Sequence, residues 1–190
     1  FREFARLRYR LIPYLYSCAH EAASTGMPIM RALVLADQDD PNTWLADTQY
    51  LLGPDLLVCP VIEAGAKHLR IYLPRGEWVD YWTGARHQGG VWRDEPVTLD
   101  RIPLFVRAGA ILPLGPEEEW VGQHDGGELT LHVYPDASGR AGGTLRHDQG
   151  RMDLSFDQRT VNVRGEPPAV CTLAARLAAG GDTPLEVTRR

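Results

Sequence analysis

The amino-acid sequence predicts an α/β segment followed by all-β domains. Apolar residues recur every three or four positions near the start, which is typical of an amphipathic helix. Residues 29–35 form an almost continuous apolar run, and from residue 68 onward short alternating runs are separated by Gly and Pro turns. With 190 residues, of which 44% are hydrophobic, the chain can bury one large core or two small ones.

The first predicted element is an amphipathic helix that is bent in the middle. Pro13 interrupts it, because proline has no N–H to donate and crowds the preceding turn. Gly26 is placed to end the helix as a left-handed cap. Its apolar face is formed by Phe1, Phe4, Leu7, Leu11, Tyr14, Leu15 and Cys18.

A buried strand and a second helix are predicted next. The apolar run 29–35 is broken only by Arg31, which favours a strand buried on both faces, as in a parallel sheet. Asn42 or Thr43 can cap a helix that extends to about Leu52. A further strand, 55–61, ends at the seam with the all-β part.

The remaining sequence predicts a β-sandwich domain and a second, smaller β-domain, joined by an acidic, glycine-rich linker at 116–127. Strands of the first β-domain are predicted at 69–73, 78–82, 97–99, 102–107 and 110–114. Strands of the second are predicted at 128–134, 144–147, 152–156, 160–163, 170–173 and 185–187.

Composition narrows the classes of partner. The formal net charge is −5 and no Lys/Arg cluster offers several phosphate contacts, which disfavours a nucleic-acid surface. No run approaches the roughly 20 apolar residues of a membrane-spanning helix. Cys18, Cys59 and Cys171 are far apart and form no CxxC pair, so we expect buried thiols and neither a disulfide framework nor a zinc site.

Asp37, Asp39 and Asp40 form the densest carboxylate cluster and follow a predicted buried strand. Carboxyl ends of parallel strands carry the active sites of barrel enzymes, so one interpretation is a loop at the rim of an active site. The other is a turn with a helix cap, because Asp is common in turns and before helices. The residue types favour the turn.

Four aromatic residues, Trp78, Tyr81, Trp82 and Trp92, are candidates for a sugar-stacking platform. Aromatic side chains on strands bury large areas, however, so a position in the core or at a domain interface is the favoured interpretation.

The remaining polar candidates are weaker. His20 and Glu21 lie on a helix without the second His that a zinc protease requires, so we interpret them as a surface pair. His147–Asp148 and Asp153 could imitate an acid–base pair, but they fall in a turn and a strand of the terminal domain. We therefore assign no catalytic, cofactor-binding or metal-binding residue from the sequence.

Six segments together resemble glycoside hydrolase family 31, the α-glucosidase and α-xylosidase family, in order and spacing. They are RLRYRLIPYLY (6–16), GMPIMRAL (26–33), DTQYLLGPDLLVCPV (47–61), YLPRGEWVDYWTG (72–84), IPLFVRAGAILPL (102–114) and LTLHVYPD (129–136).

The resemblance implies a particular fold and chemistry. Residues 1–57 would be the last one or two units of a (β/α)₈ TIM barrel. A proximal C-terminal β-sandwich (58–115), the linker (116–127) and a distal β-domain of the same sandwich type (128–190) would follow. The activity would be retaining hydrolysis of an α-linked oligosaccharide or glycoside by two carboxylates about 5–5.5 Å apart, with no cofactor. The catalytic aspartates are expected upstream of Phe1, with the rest of the barrel. The alternative is a non-catalytic carbohydrate-binding or scaffold module.

Overall fold

The computed structural model describes residues 1–121, 123, 127–148, 150–165, 172–178 and 183–189. The chain divides into two compact units. We call Phe1–Gly26 with Gly109–Arg190 the barrel unit, and Met27–Ala108 the sheet unit.

The described residues form three α-helices, one 3₁₀ helix and fifteen strands. The helices are α1 (Arg2–Arg10), α2 (Ile12–Thr25), a 3₁₀ helix (Leu33–Leu35) and α3 (Pro41–Leu45). The strands are β1 (Met30–Arg31), β2 (Tyr50–Leu52), β3 (Leu56–Val58), β4 (His68–Leu73), β5 (Glu77–Asp80), β6 (Arg86–Gln88), β7 (Val91–Pro96), β8 (Leu104–Arg107), β9 (Ala110–Leu114), β10 (Leu129–Tyr134), β11 (Arg140–His147), β12 (Gly150–Asp157), β13 (Thr160–Arg164), β14 (Leu173–Leu177) and β15 (Thr183–Arg189).

The bent N-terminal helix is confirmed as two consecutive helices. The chain turns at Leu11, and Pro13 lies in the first turn of α2, where its missing N–H costs no intrahelical bond. Gly26 ends α2 with φ +79°, the left-handed cap predicted from the sequence. Within the barrel unit the Ser17 hydroxyl accepts from the Arg146 backbone N–H at 2.8 Å, which joins α2 to β11.

The barrel unit contains a closed β-barrel in the order β10–β14–β15–β13–β12–β11–β9. β9 pairs with β10 along its length and with β11 at Ala110 and Gly142, and this closes the barrel. A Cβ added to Gly143 would lie 2.9 Å from the Ile111 carbonyl oxygen, so the close approach of β9 and β11 requires a glycine there.

The closed barrel corrects the predicted distal β-sandwich. The predicted alternation is confirmed on β12, where Met152, Leu154 and Phe156 are buried and the residues between them are exposed. Alternation fixes only which residues face the core, however, and both a sandwich and a barrel satisfy it. Closure depends on β9, which lies before the acidic stretch in the sequence.

The sheet unit is built on a six-stranded antiparallel sheet in the order β1–β2–β3–β8–β5–β6, with a separate antiparallel pair, β4–β7. Its core is apolar and includes Leu33, Leu51, Leu57, Ile71, Tyr72, Leu73, Trp78 and Phe105. After residue 58 the described residues form strands and no helix, as predicted.

The predicted end of a TIM barrel is not formed within residues 1–57, all of which the structure describes. The run 29–35 is a two-residue strand, β1, followed by the 3₁₀ helix. β1 pairs antiparallel with β2, so a doubly buried parallel strand was a wrong interpretation of this apolar run. Met30 and Leu35 are exposed, whereas a strand covered on both faces would bury them.

Two other predicted elements were wrong in extent or position. The second helix is capped by Asp40 and not by Asn42 or Thr43, which lie inside it. It ends at Leu45, and Tyr50–Leu52 is a strand because it pairs with β3. Strand β7 covers Val91–Pro96 in place of 97–99, since it pairs with β4 residue by residue, while Thr98 forms only an isolated bridge to Arg101.

Some predictions fall partly outside the described residues. In the predicted linker, residues 122 and 124–126 are not described, and the described residues between 116 and 127 form neither helix nor strand. Cys18 and Cys59 are buried, as predicted, while Cys171 lies outside the described residues. None of the described helices is both long enough and apolar enough to cross a membrane.

Candidate functional site

The candidate site is the acidic loop, residues 37–40, which joins the 3₁₀ helix to α3 in the sheet unit. Asp40 is the N-cap of α3, and its side chain accepts from the Asn42 backbone N–H at 3.1 Å. Pro41 occupies the first helical position, where proline is favoured. The predicted turn with a helix cap is therefore confirmed.

Asp40 is a buried carboxylate with several partners, since only 2% of its surface is exposed. It accepts hydrogen bonds from the Tyr72 hydroxyl and from Asn42 Nδ2, the latter at 3.0 Å. Arg75 Nε lies 3.8 Å from Asp40 Oδ2. The hydrogen bond from Tyr72 is the main cause that lowers the pKa of Asp40, so the carboxylate is held in its ionised form.

Tyr72 is held in place by its backbone as well as by its hydroxyl. Gln49 Nε2 donates to the Tyr72 carbonyl at 2.6 Å, and the Tyr72 N–H donates to Gln49 Oε1 at 2.8 Å. Burial and the hydrogen bond to Asp40 raise the pKa of Tyr72 to about 12. Its hydroxyl therefore remains a neutral donor at physiological pH.

Arg75 and Thr43 complete the bonding of the loop. The Thr43 hydroxyl donates to the backbone carbonyls of Asp40 and Asp37, at 2.7 and 2.8 Å. Arg75 Nη2 donates to the Asp39 carbonyl at 3.4 Å, and Arg75 Nε lies 3.7 Å from Asp37 Oδ2. The loop backbone is thus fixed from one end to the other.

The chemistry of the loop is that of a structural clamp. A general acid that works near neutral pH needs a carboxyl with a raised pKa, whereas the pKa of Asp40 is lowered. The Asp40 carboxylate also accepts hydrogen bonds from the Tyr72 hydroxyl, from Asn42 Nδ2 and from the Asn42 backbone N–H. Among the described residues, no group of three His, Cys, Asp or Glu side chains could hold a metal ion.

The tryptophans do not form a shared sugar-stacking platform among the described residues. Trp78 is fully buried, donates to the Pro74 carbonyl at 2.7 Å and has Arg107 4.7 Å from its ring centroid, which confirms the core interpretation. Trp82 donates to the Ile102 carbonyl at 2.8 Å and has Arg101 5.8 Å from its ring.

Trp92 belongs to the acidic-loop site. Its ring lies 5.2 Å from that of Tyr72, and its indole N–H donates to Asn42 Oδ1 at 2.9 Å. Sequence reasoning named Trp92 and Asn42 but missed their connection, and it missed Gln49, Tyr72 and Arg75. The available signal was the segment YLPRGEWVDYWTG, which carries Tyr72 and Arg75 three residues apart.

The histidine and carboxylate candidates of the barrel unit have separate positions. The His20 ring packs edge-on against Tyr16 at 4.8 Å, and the Tyr16 hydroxyl donates to Asp148 at 2.5 Å. In the β11–β12 ladder Asp153 lies opposite Thr144, and Thr144 is three positions before His147 on β11. Because side chains alternate between faces, His147 and Asp153 point to opposite faces of the sheet and form no acid–base pair.

Comparison with known proteins decides the family. The glycosyl hydrolase family 31 C-terminal domain matches residues 26–112, the segment that contains the acidic loop, Tyr72, Arg75 and Trp92. The chain carries a family 31 C-terminal domain. The family resemblance given by the six sequence segments is thereby confirmed.

The relatives of this family 31 domain include proteins named as α-glycosidases. The chain is 44% identical over 144 residues to an α-xylosidase of Saccharolobus solfataricus. The matched segment covers 72% of this chain and 19% of that protein. It is 33% identical over 150 residues to α-glucosidase 2 of Bacillus thermoamyloliquefaciens, which covers 79% of the chain and 19% of that protein.

Solved structures agree with the curated relatives. A family 31 dextranase of Flavobacterium johnsoniae, solved with glucose, matches with a TM-score of 0.82 and 30% identity, covering 92% of this chain and 25% of that one. The chain therefore spans about a fifth to a quarter of the length of these family 31 proteins.

Proposed function

We propose that this chain acts as the C-terminal portion of a retaining α-glycosidase that hydrolyses α-linked oligosaccharides or glycosides. Two of its relatives are named α-xylosidase and α-glucosidase, which supports the reaction class. In such an enzyme one carboxylate attacks the anomeric carbon while a carboxylic acid protonates the leaving oxygen. Water then releases the sugar with retention of configuration.

The observation that carries the proposal is that the carboxylates of the acidic loop bond to residues of this chain and hold the loop in place. A retaining glycosidase needs one ionised and one protonated carboxyl facing the same sugar. Asp40 is buried beneath Tyr72 and Asn42, and Asp37 lies near Arg75. We therefore assign the loop the role of a rigid border to the active-site mouth, and we assign the nucleophile and the acid to barrel residues outside this chain.

The exposed apolar side chains of the sheet unit support the presence of a packing partner. Trp44 and Leu45 are the last two residues of α3 and are 66% and 68% exposed, and α3 packs on the 3₁₀ helix that carries the exposed Leu35. Burial of each such side chain would contribute about 1.5–3 kcal/mol. We propose that a (β/α)₈ barrel formed by the rest of the enzyme covers them.

The linker of the domain division made from the sequence remains part of the proposal. That division gave residues 1–57 as the last unit or units of the barrel, 58–115 and 128–190 as the proximal and distal β-domains, and 116–127 as the linker. No barrel unit is formed within 1–57, so that part of the division is not proposed again. Limited proteolysis would test the linker: this segment, which forms neither helix nor strand where it is described, should be cut first.

The activity is tested on the enzyme that carries this chain together with its barrel. Aryl α-xyloside and aryl α-glucoside are the substrates, and NMR of the first-formed sugar gives its anomeric configuration. We expect hydrolysis with an α-configured product. A β-configured product, or no hydrolysis of either substrate by folded enzyme, would contradict the proposal.

The alternative of a sugar-binding scaffold module built on Trp78, Trp82 and Trp92 is not favoured. Trp78 has no exposed face, and Trp92 is packed against Tyr72.

A further inference from the structure

We propose that a groove on the outer face of β12 and β13 is a second, non-catalytic binding site for the hydroxyl groups of a neutral saccharide. The groove is an open cavity of about 320 Å³ that is lined by Asp153, Leu154, Ser155, Asn162, Val163 and Arg164. Its volume is at the lower end of the range for small-molecule sites, roughly 300–1,000 Å³.

The strand register places the polar lining residues in two cross-strand pairs. Asp153 lies opposite Arg164, and Ser155 lies opposite Asn162. The residues between them, Leu154 and Val163, point inward and are 3% and 1% exposed. Because the apolar side chains are packed in the barrel core, the four polar side chains are displayed on a rigid backbone.

Asp153 is oriented before any ligand binds. Arg151 Nε and Nη2 lie 2.7 and 2.6 Å from Asp153 Oδ1, and the Thr144 hydroxyl lies 3.4 Å from the same oxygen. The contacts involve Oδ1, so Oδ2 is available to accept from a ligand hydroxyl. Arg151 also balances the charge of the carboxylate.

The other three polar side chains are uncommitted. Ser155, Asn162 and Arg164 make no side-chain hydrogen bond or ion pair with any other residue that the structure describes. They offer a hydroxyl, an amide with both donors and an acceptor, and a guanidinium with five donors. Such a set matches several adjacent hydroxyls, each of which both donates and accepts.

The charges of the groove are mixed in sign and do not form a cluster of one sign. Arg151 and Arg164 supply two positive charges, and Asp153 supplies one negative charge directly opposite Arg164. An anion that approached Arg164 would also meet the Asp153 carboxylate, whereas a sugar hydroxyl can bridge the two residues. The ligand class thus rests on the chemistry of the groove, and the proposed α-glycosidase function fixes only the choice of probes.

Saturation-transfer NMR on the full chain with maltose and isomaltose tests this site. We expect saturable binding with a Kd on the order of 1 mM, since a few hydrogen bonds in an open groove give weak affinity. Asn162→Ala and Arg164→Ala should each weaken binding about tenfold or more. Ser155→Ala, a smaller change, should weaken it less and gives an independent check if either larger substitution disturbs folding.

Asp157→Ala is the matched control, because Asp157 is exposed on β12, the strand that carries Ser155, but lies outside the groove. It should leave binding unchanged. Absence of saturable binding, binding that the groove variants do not weaken, or preferential binding of inorganic phosphate would overturn the proposal. These results do not depend on turnover, so loss of the groove site and failure of the proposed hydrolase activity are distinguishable.

Discussion

Asp40 in the sheet unit and Asp153 in the barrel unit are both aspartates near an arginine, yet their surroundings give them opposite roles. Asp40 is buried and has protein partners on both carboxylate oxygens. Asp153 is exposed on a barrel strand and has its contacts on one oxygen. The first holds a loop together, whereas the second remains available to a ligand.

The difference shows that residue type and spacing alone do not identify a site. Asp37, Asp39 and Asp40 form the densest acidic cluster in the sequence, but Asp40 serves as a cap and a hydrogen-bond acceptor for its own protein. Asp153 is isolated in the sequence and gains its neighbours only through strand pairing. Burial and uncommitted lone pairs distinguish the two cases.

The largest effect on stability is expected for Gln49→Ala, which disturbs the acidic-loop side of this comparison. Gln49 is buried and satisfies both the N–H and the C=O of Tyr72, so its removal leaves two buried backbone groups unpaired. We expect the free energy of unfolding of the sheet unit to fall by about 3 kcal/mol, as measured by urea denaturation. Gln88→Ala, at an exposed position of the same unit, should change it by less than about 0.5 kcal/mol.

A smaller effect on stability, one that depends on pH, is expected for Tyr72→Phe. The pKa of Tyr72 is raised to about 12 in the folded protein, so its contribution to stability is present below about pH 10 and is lost as the pH rises from there. The pKa of Asp40 is lowered, so its contribution is present above about pH 4 and is lost as the pH falls.

Removal of the Tyr72 hydroxyl should therefore flatten both limbs of the stability profile. The measurement is the urea midpoint from about pH 3 to pH 11. Tyr9→Phe, on α1 of the barrel unit, should leave the profile as in the wild-type protein. A Tyr72→Phe profile that is parallel to the wild-type profile at both ends would show that Asp40 and Tyr72 do not form a clamp.

The smallest effect on stability is expected for substitutions in the groove. Asn162→Ala and Arg164→Ala remove outward-facing side chains without partners among the described residues, so stability should change by less than about 0.5 kcal/mol. Thermal unfolding checks this. A loss comparable to that of Gln49→Ala would mean that the groove side chains are structural, and the contrast with the acidic loop would disappear.

Local features of the fold were predictable because they depend on local chemistry. The bend near Pro13 and the Gly26 cap follow from backbone restrictions, and the alternation on β12 follows from the two-residue repeat of a strand. A turn with a helix cap was one of two interpretations of Asp37, Asp39 and Asp40, but the cap was predicted at Asn42 or Thr43 and is formed by Asp40.

The features that were missed depend on contacts between distant residues. The apolar run 29–35 resembles a doubly buried strand until the antiparallel pairing with β2 is known. The bond between Tyr72 and Asp40 spans 32 residues, and the pairing of β9 with β10 crosses the acidic stretch. No periodicity within a short window contains this information.

The most direct test is to assay the isolated 190-residue chain on an aryl α-glucoside, with the enzyme that includes the barrel as the positive control. The account predicts no turnover by the isolated chain, because its acidic loop is a clamp and we assign the acid–nucleophile pair to the proposed barrel. Clear turnover by the isolated chain that is abolished by Asp39→Asn or Asp40→Asn would contradict it.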